Sequence, residues 1–276
     1  MKSVGVSFTC SQHLVTRDTS PVRTFRAAWG ASLATRHGAG GPGVDFTTAA
    51  AAGDPRLPVL ARALARLCSE LGLTRVVDVG CGDGALVRAL TGLGLSCTGV
   101  ELGEEIPAFE GLLIAHEWLD DVPCTVVDGS SEVMADGSLA PASLADLAWL
   151  ERWWPVRSGP VESGLARDRA WADALDRLAR GVAVCVDYGH TLASRPLQGT
   201  LSAHRAGVLV DPVADGSCWL TAHVALDSLE GRVVPDALER LGVTGDVRAP
   251  DCLAQRALLA TPTTWVVAGR GGLTWP

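Results

Sequence analysis

Asp78, Gly80, Gly82 and Gly84 stand at alternate positions of the run Arg75-Val76-Val77-Asp78-Val79-Gly80-Cys81-Gly82-Asp83-Gly84-Ala85, a spacing that lets a backbone cradle a nucleotide-type ligand. Glycine suits a chain that must turn sharply and still approach a ligand closely, because it has no Cβ. A helix opening immediately afterwards offers free N–H groups at its positive end. Val76, Val77 and Val79 are residue types for a strand covered on both faces, and Ala85-Leu86-Val87-Arg88-Ala89-Leu90 resumes helical spacing. The run therefore reads as strand, glycine turn and helix, with an adenosyl-type ligand at the turn.

Two templates fit these residues. Gly80-x-Gly82-x-x-Ala85 is a permissible dinucleotide fingerprint, whereas Asp78-x-Gly80-x-Gly82-x-Gly84 is the arrangement of S-adenosylmethionine (SAM) methyltransferases. An acidic residue two before the first glycine can face the cationic amino-acid end of SAM and would repel a pyrophosphate, so Asp78 favours the second template. Downstream, Ser96-Cys97-Thr98-Gly99-Val100-Glu101-Leu102 reads as a second strand ending in a carboxylate placed for ribose hydroxyls. Glu101 suits both templates equally, and a purely structural glycine turn is the bland alternative.

Composition narrows the classes further. The chain has 276 residues and 47% hydrophobic content, enough for one large α/β domain with an embellishment. A formal net charge of −8 argues against a phosphate-binding face, so no nucleic-acid partner is expected. Lys2 is the only lysine, which leaves no Schiff-base or P-loop lysine inside a folded domain. The 8 cysteines are scattered, without C-x-x-C or Cys/His zinc spacing, and read as reduced core thiols with no metal site. Residues 1–20 lack the apolar core of a signal peptide, and no run has the length of a membrane span, which points to the cytoplasm. Arg17, Arg23 and Arg26 leave an arginine-rich transit peptide as the rival reading of that end.

The positioning elements follow from periodicity. Residues 22–33 look helical, Gly38-Ala39-Gly40-Gly41-Pro42-Gly43 is a loop, and Leu57–Leu71 carries apolar residues at helical spacing. Gly111-Leu112-Leu113-Ile114-Ala115-His116-Glu117 and Gly181-Val182-Ala183-Val184-Cys185-Val186-Asp187-Tyr188-Gly189 read as buried strands with polar carboxyl ends, the ends that face the ligand crevice in open parallel sheets. Residues 124–137 suggest a small inserted hairpin, and 142–154 and 167–180 suggest helices. Thr221-Ala222-His223-Val224, residues 233–241 and residues 264–268 are expected to complete the sheet as strand, helix and strand.

These strand ends also carry a family resemblance. Gly43-Val44-Asp45-Phe46-Thr47, Asp78-Val79-Gly80-Cys81-Gly82-Asp83-Gly84, Ala115-His116-Glu117-Trp118-Leu119-Asp120-Asp121-Val122-Pro123, Val186-Asp187-Tyr188-Gly189, Gly199-Thr200-Leu201 and Leu220-Thr221-Ala222-His223-Val224 occur in this order. Together they resemble the MidA family of SAM-dependent methyltransferases, relatives of the mitochondrial complex I assembly factor that methylates an arginine of a partner subunit. The resemblance runs from about Val44 to the end of the chain. It implies a class I methyltransferase fold (Rossmann-like, a mostly parallel sheet with helices on both faces), SAM as methyl donor, and protein arginine methylation of a partner such as a respiratory-complex subunit. His116 stands where the family has Asn, and Trp219 where it often has Asp. Only nine residues separate Glu101 from Gly111, too few for the helix and strand that normally border the adenine.

Chemical roles can then be assigned. A guanidinium acceptor arrives charged, and paired carboxylates are its natural clamp; Glu117 and Asp120 are the candidates, converging if residues 118–121 form a turn. The alternative is that one of the two caps that turn. Asp187 and Tyr188 are the second pair, Tyr188 being the single tyrosine of a chain with 9 tryptophans; its ring could equally be packing. A neutral His223 or His116 would suit a hydroxyl or thiol acceptor as general base. Trp149, Trp153 and Trp154 read as helix packing rather than a partner surface.

The expected cofactor shell is Asp78, Gly80, Cys81, Gly82, Gly84, Glu101, Leu102, His116 and Thr47, and the expected catalytic set is Glu117, Asp120, Asp187, Tyr188 and His223. Residues 1–56 are expected to form an N-terminal segment with a cofactor-covering flap around Asp45-Phe46-Thr47, or else an edge strand there. Residues 57–276 would form the catalytic domain, with an insertion over 124–180. A small-molecule O- or N-methyltransferase and a catalytically silent SAM-binding assembly factor are the other functional readings, and the oligomeric state is left open.

Overall fold

The computed structural model describes residues 22–38, 48–101 and 103–276. Helix α1 (Phe25–Gly38) precedes α2 (Leu57–Leu71), whose bounds are those the apolar spacing predicts. The α2 helix buries Leu60, Leu64, Leu67 and Cys68, and it stops at Gly72, whose left-handed φ of 66° lets the N–H groups of Gly72 and Leu73 satisfy the last carbonyls. The chain then enters β1 (Arg75–Val79), turns through the glycines into α3 (Ala85–Gly92), and continues into β2 (Ser96–Val100) and β3 (Phe109–His116). Both strands run parallel to β1, one on each side: Val77 lies opposite Thr98 of β2 and Leu113 of β3.

Next come β4 (Thr125–Asp128), β5 (Ser131–Val133), β6 (Leu139–Pro141), α4 (Leu144–Trp153), β7 (Val161–Ser163), α5 (Leu165–Asp176) and the long β8 (Leu178–His190). The chain closes with β9 (Ser202–Arg205), β10 (Val208–Val210), β11 (Trp219–Thr221), β12 (Val224–Ala225), β13 (Arg232–Val234), α6 (Ala237–Arg240), α7 (Cys252–Leu259) and β14 (Thr263–Arg270). The main sheet has the order β13-β14-β8-β3-β1-β2, with β12 added alongside the end of β8. It is parallel from β8 to β2, whereas β14 runs antiparallel to both β8 and β13.

Alternation along the strands fills both faces. Val76, Leu112, Ile114, Val182 and Val184 pack under α2, while Val77, Val79, Leu113, Ala183 and Cys185 pack against Trp171 and Leu175 of α5. Each fully buried leucine contributes roughly 2 kcal/mol of transfer free energy, so this double-sided core fixes the strand ends that carry the site.

Three expectations are corrected. The 124–137 hairpin is part of a four-stranded antiparallel sheet, β6-β5-β4-β7, because β7 returns from beyond α4 to pair with β4. Local turn signals cannot announce such a distant partner. Trp219–Thr221 leaves the main sheet for a three-stranded one, β10-β9-β11, covered by Trp29 and Leu33 of α1; only Val224–Ala225 pairs β8. Residues 233–241 begin as strand β13 and give only a four-residue helix, since Val233-Val234 favour a strand and Pro235 disfavours helix before it. The short link after β2 has the consequence anticipated from its length: among the described residues β2 is the sheet edge. No helix among them is long and apolar enough to cross a membrane.

Candidate active site

The glycine turn sits at the carboxyl end of β1. Gly80, Gly82 and Gly84 have φ of 73°, 57° and 71°, values that L side chains rarely adopt. A Cβ at Gly80 would lie 2.7 Å from Cδ1 of Trp118, so the β3 turn closes directly onto this bend; a Cβ at Gly82 would meet nothing within 4 Å. The Gly82 N–H donates to the Glu101 carboxylate at the end of β2, and Asp83 accepts from Ala85 N at 2.8 Å, satisfying the start of α3. Asp78 is buried beneath the turn, and burial, reinforced by the charge of Glu101, pushes its carboxyl up to about 8. The same two causes push the Cys81 thiol up to about 12.

The second cluster lies on the turn after β3. Glu117 is one of two non-glycine residues among those described with positive φ, at 51°, a conformation that concentrates at functional turns. Its side chain is only 4% exposed, Oε1 has no hydrogen-bond partner among the described residues, and burial, with Asp120 nearby, pushes the carboxyl up to about 8. Asp120 accepts from Thr221 Oγ1 at 2.8 Å through Oδ2, while Oδ1 is likewise buried and unpartnered. Glu117 and Asp120 are thus near enough for the charge of one to raise the carboxyl of the other, and each has one buried oxygen without a hydrogen-bond partner among the described residues.

Asp187 has a different place from the one expected. It is fully buried under the turn, where Oδ2 accepts from Leu119 N at 2.9 Å and Asp120 N at 3.3 Å, and Oδ1 accepts from Tyr188 N at 2.9 Å. Asp187, rather than Glu117 or Asp120, ties down the turn. Arg167, 1% exposed, is the buried cation of the cluster: it donates to the carbonyls of Asp120 at 2.7 Å, Val122 at 3.2 Å and His223 at 2.8 Å. Nothing in the helical pattern around Arg167 marks it as buried, and sequence reasoning missed it.

His116 lies next to Glu117, with its Nδ1 at 3.8 Å from Oε1 of Glu117, and burial lowers it to about 4, leaving it neutral. The half-buried Tyr188 ring stacks on the exposed His223 ring at 6.5 Å, which places both at the carboxyl end of β8. Burial and the neighbouring carboxyls push the Tyr188 phenol up to about 12. Residues 48–56 lie along the same edge. Ala52 N donates to Asp83 at 3.3 Å, the Ala49 N–H holds the Glu117 carboxyl down, and Arg56, paired with Asp54 at 2.7 Å, adds positive charge beside Glu117. Arg56 and Asp54 also escaped the sequence reading. Thr47, with Asp45 and Phe46, and Leu102 lie outside the described residues.

The motif Gly199-Thr200-Leu201 has a structural explanation. The buried Glu162 carboxylate accepts the N–H groups of Thr200 and Leu201, at 2.9 and 2.8 Å, and a Cβ at Gly199 would lie 2.6 Å from Glu162 Oε1. Thr200 Oγ1 in turn accepts from His223 N at 2.9 Å, so the motif positions the His223 loop. The run packs, as expected, but the buried pair is Trp149 and Trp154, with Trp153, which spacing puts on the face of Trp149, half-buried beside them.

No family model matches the sequence, and no curated protein matches it either. Among solved structures the chain is similar to a presumed methyl transferase from Burkholderia thailandensis bound to S-adenosyl-homocysteine, with a TM-score of 0.71 and 20% identity over 92% of this chain and 89% of that one. It is also similar to an uncharacterized protein of the same superfamily from the same organism, with a TM-score of 0.62 and 20% identity over 91% of this chain and 94% of that one. At this identity the likeness is one of fold: the chain has an α/β methyltransferase-type architecture built on a mixed, mostly parallel sheet.

Proposed function

We propose that the chain is a SAM-dependent methyltransferase of MidA type that methylates a cationic nitrogen, an arginine side chain of a protein partner. The observation that carries this reading is the convergence at one sheet edge of the left-handed glycine turn, held on Glu101, with two buried and unpartnered carboxyl oxygens on Glu117 and Asp120. The fold shared with a protein bound to S-adenosyl-homocysteine supports the cofactor. So does the open approach to Gly82, where a side chain would stand in the way. Asp78, Gly80, Gly82, Gly84 and Glu101 would hold SAM, with Cys81 and His116 alongside and residues 48–56 as part of the cover. When bound, SAM supplies an electrophilic methyl group.

The chain's own residues do the rest. Glu117 and Asp120 offer two acceptor atoms on one turn, which suits the planar fork of a guanidinium. That cation would bring the hydrogen bonds their buried oxygens lack. As the nitrogen gains a methyl it must shed a proton, and Glu117 Oε1 is the group placed to take it once the carboxyl is ionised, a state that burial delays to about pH 8 and the charge of the bound guanidinium favours. Asp187 and Arg167 keep the turn in register, and Trp118 packs against Gly80 to exclude water.

A silent SAM-binding assembly factor is the second reading, favoured by β2 forming the sheet edge where the adenine would be bordered. Two measurements separate the readings. Calorimetry should give S-adenosyl-homocysteine binding that Glu117→Gln leaves within about twofold, while labelled-methyl transfer into the protein fraction of a cell extract falls roughly 100-fold. No heat at millimolar ligand sinks the cofactor assignment; binding without transfer supports the silent factor; label confined to small molecules moves the acceptor out of the protein class.

A further inference from the structure

A third polar cluster lies at the last residue of β8, next to the Tyr188 and His223 rings but outside every role given above. His190 is 5% exposed, and its Nδ1 lies 2.5 Å from Nη1 of Arg195. A guanidinium has only donors, so Nδ1 must be the acceptor and the imidazole proton must sit on Nε2. Arg195 cannot turn away, because its Nη2 pairs with Asp227 at 2.5 Å, Asp227 is held by Leu192 N at 2.6 Å, and the guanidinium carbon lies 5.7 Å from the centre of the Trp154 ring. Burial and the charge of Arg195 lower His190 to about 4, which keeps it neutral.

The result is a buried N–H donor, fixed in one tautomer, with no partner among the described residues. Its ring is 6.4 Å from His223, whose other neighbour is Tyr188, and Tyr188 feels the charges of Glu117 and Asp120. The row Tyr188–His223–His190 therefore ends on an orphaned donor, and its other end lies within the electrostatic reach of Glu117 and Asp120, whose orphaned oxygens accept once ionised. Leaving either buried and unpaired is unfavourable. A ligand that satisfies both carries N–H groups at one end and an oxygen acceptor at the other.

We propose that His190 determines acceptor specificity, its Nε2–H donating to a main-chain carbonyl oxygen of the segment whose cationic side chain Glu117 and Asp120 hold, so that the site reads an arginine within a peptide rather than a free guanidinium. The proposal rests on the cationic-acceptor reading above. Trp154, edge-on to His190 at 4.9 Å, keeps the imidazole in place. His190 is thus a recognition residue and takes no part in proton transfer.

The test uses two probes on the full chain in the presence of S-adenosyl-homocysteine: Nα-acetyl-arginine N-methylamide, which carries peptide carbonyls, and methylguanidinium, which carries none. Wild type should bind the first at least about tenfold more tightly. His190→Phe should lose that difference while keeping its affinity for methylguanidinium and for S-adenosyl-homocysteine, and His190→Gln, which retains an N–H donor, should recover part of it. In imidazole-15N spectra the His190 Nε2–H resonance should move with the amide probe only. Equal binding of the two probes by wild type, or equal weakening of both in His190→Phe, overturns the subsite alone. Failure of wild type to bind either probe removes the cationic-acceptor reading along with it.

Discussion

The carboxyl of Asp187 accepts the backbone N–H of Leu119 at 2.9 Å, so the end of β8 holds the turn that follows β3. The same side chain reaches Asp120 N and Tyr188 N, and burial raises its own carboxyl well above the usual range. What the turn requires is hydrogen-bond acceptance, by both oxygens. Asp187→Ala should leave these N–H groups unpaired and cost about 2–3 kcal/mol. Asp187→Asn, which keeps one acceptor oxygen for Leu119 N and Asp120 N but turns an amide NH2 toward Tyr188 N, should cost less, about 1 kcal/mol. Urea titration of both variants reads the difference, and an Asn variant as unstable as the Ala variant would contradict the assignment.

Gly82 and Gly72 share a left-handed backbone, with φ of 57° and 66°, and a Cβ at either meets nothing within 4 Å. Gly82→Ala and Gly72→Ala should therefore destabilise the chain by similar amounts, about 1–2 kcal/mol each. Only the first lies at the proposed cofactor turn. S-adenosyl-homocysteine affinity should fall in Gly82→Ala and vanish in Gly82→Val, and stay unchanged in Gly72→Ala. Calorimetry showing equal losses at both glycines would make the effect a general one of stability.

Stability should decline from pH 6.5 to 8. Asp78 and Glu117 both hold their protons up to about 8 in the folded chain, whereas unfolded carboxyls ionise near pH 4. Between those values the folded state binds more protons, so their contribution is fully present below about pH 4 and is lost as pH rises through 8. His116 and His190 act oppositely, since both fall from 6.5 to about 4 on folding and so favour the folded state as pH rises between those values. Above pH 6.5 the carboxyl slope is no longer opposed by these histidines. Urea midpoints across this window should flatten in Asp78→Asn and in Glu117→Gln; slopes equal to wild type would show that neither carboxyl is held protonated. Methyl transfer should meanwhile rise toward pH 8, as Glu117 ionises and holds the cation more firmly.

Much of this arrangement was readable from local pattern. The α2 helix is a matter of 3.6-residue spacing closed by Gly72, and the turn at Gly80, Gly82 and Gly84 is a matter of backbone freedom. The shortness of the link after Glu101 announced the truncated edge at β2. What escaped was decided by distant partners. Asp187 has the residue type of a ligand contact, and only the approach of Leu119 and Asp120 makes it a clamp; Arg167 looks like one more exposed arginine on α5 until three carbonyls converge on it.

By itself, then, the order of residues determined the α2 helix and the strands β1, β3 and β8, where the backbone must bend to the left, and which carboxyls stand at strand ends. Spacing and side-chain type act within a few residues, and those features depend on nothing farther away. The tertiary structure alone decided which of those polar groups find partners and which are left buried without one, because a hydrogen bond between residues 60 or 100 apart in the chain exists only once the sheet has brought their strands together.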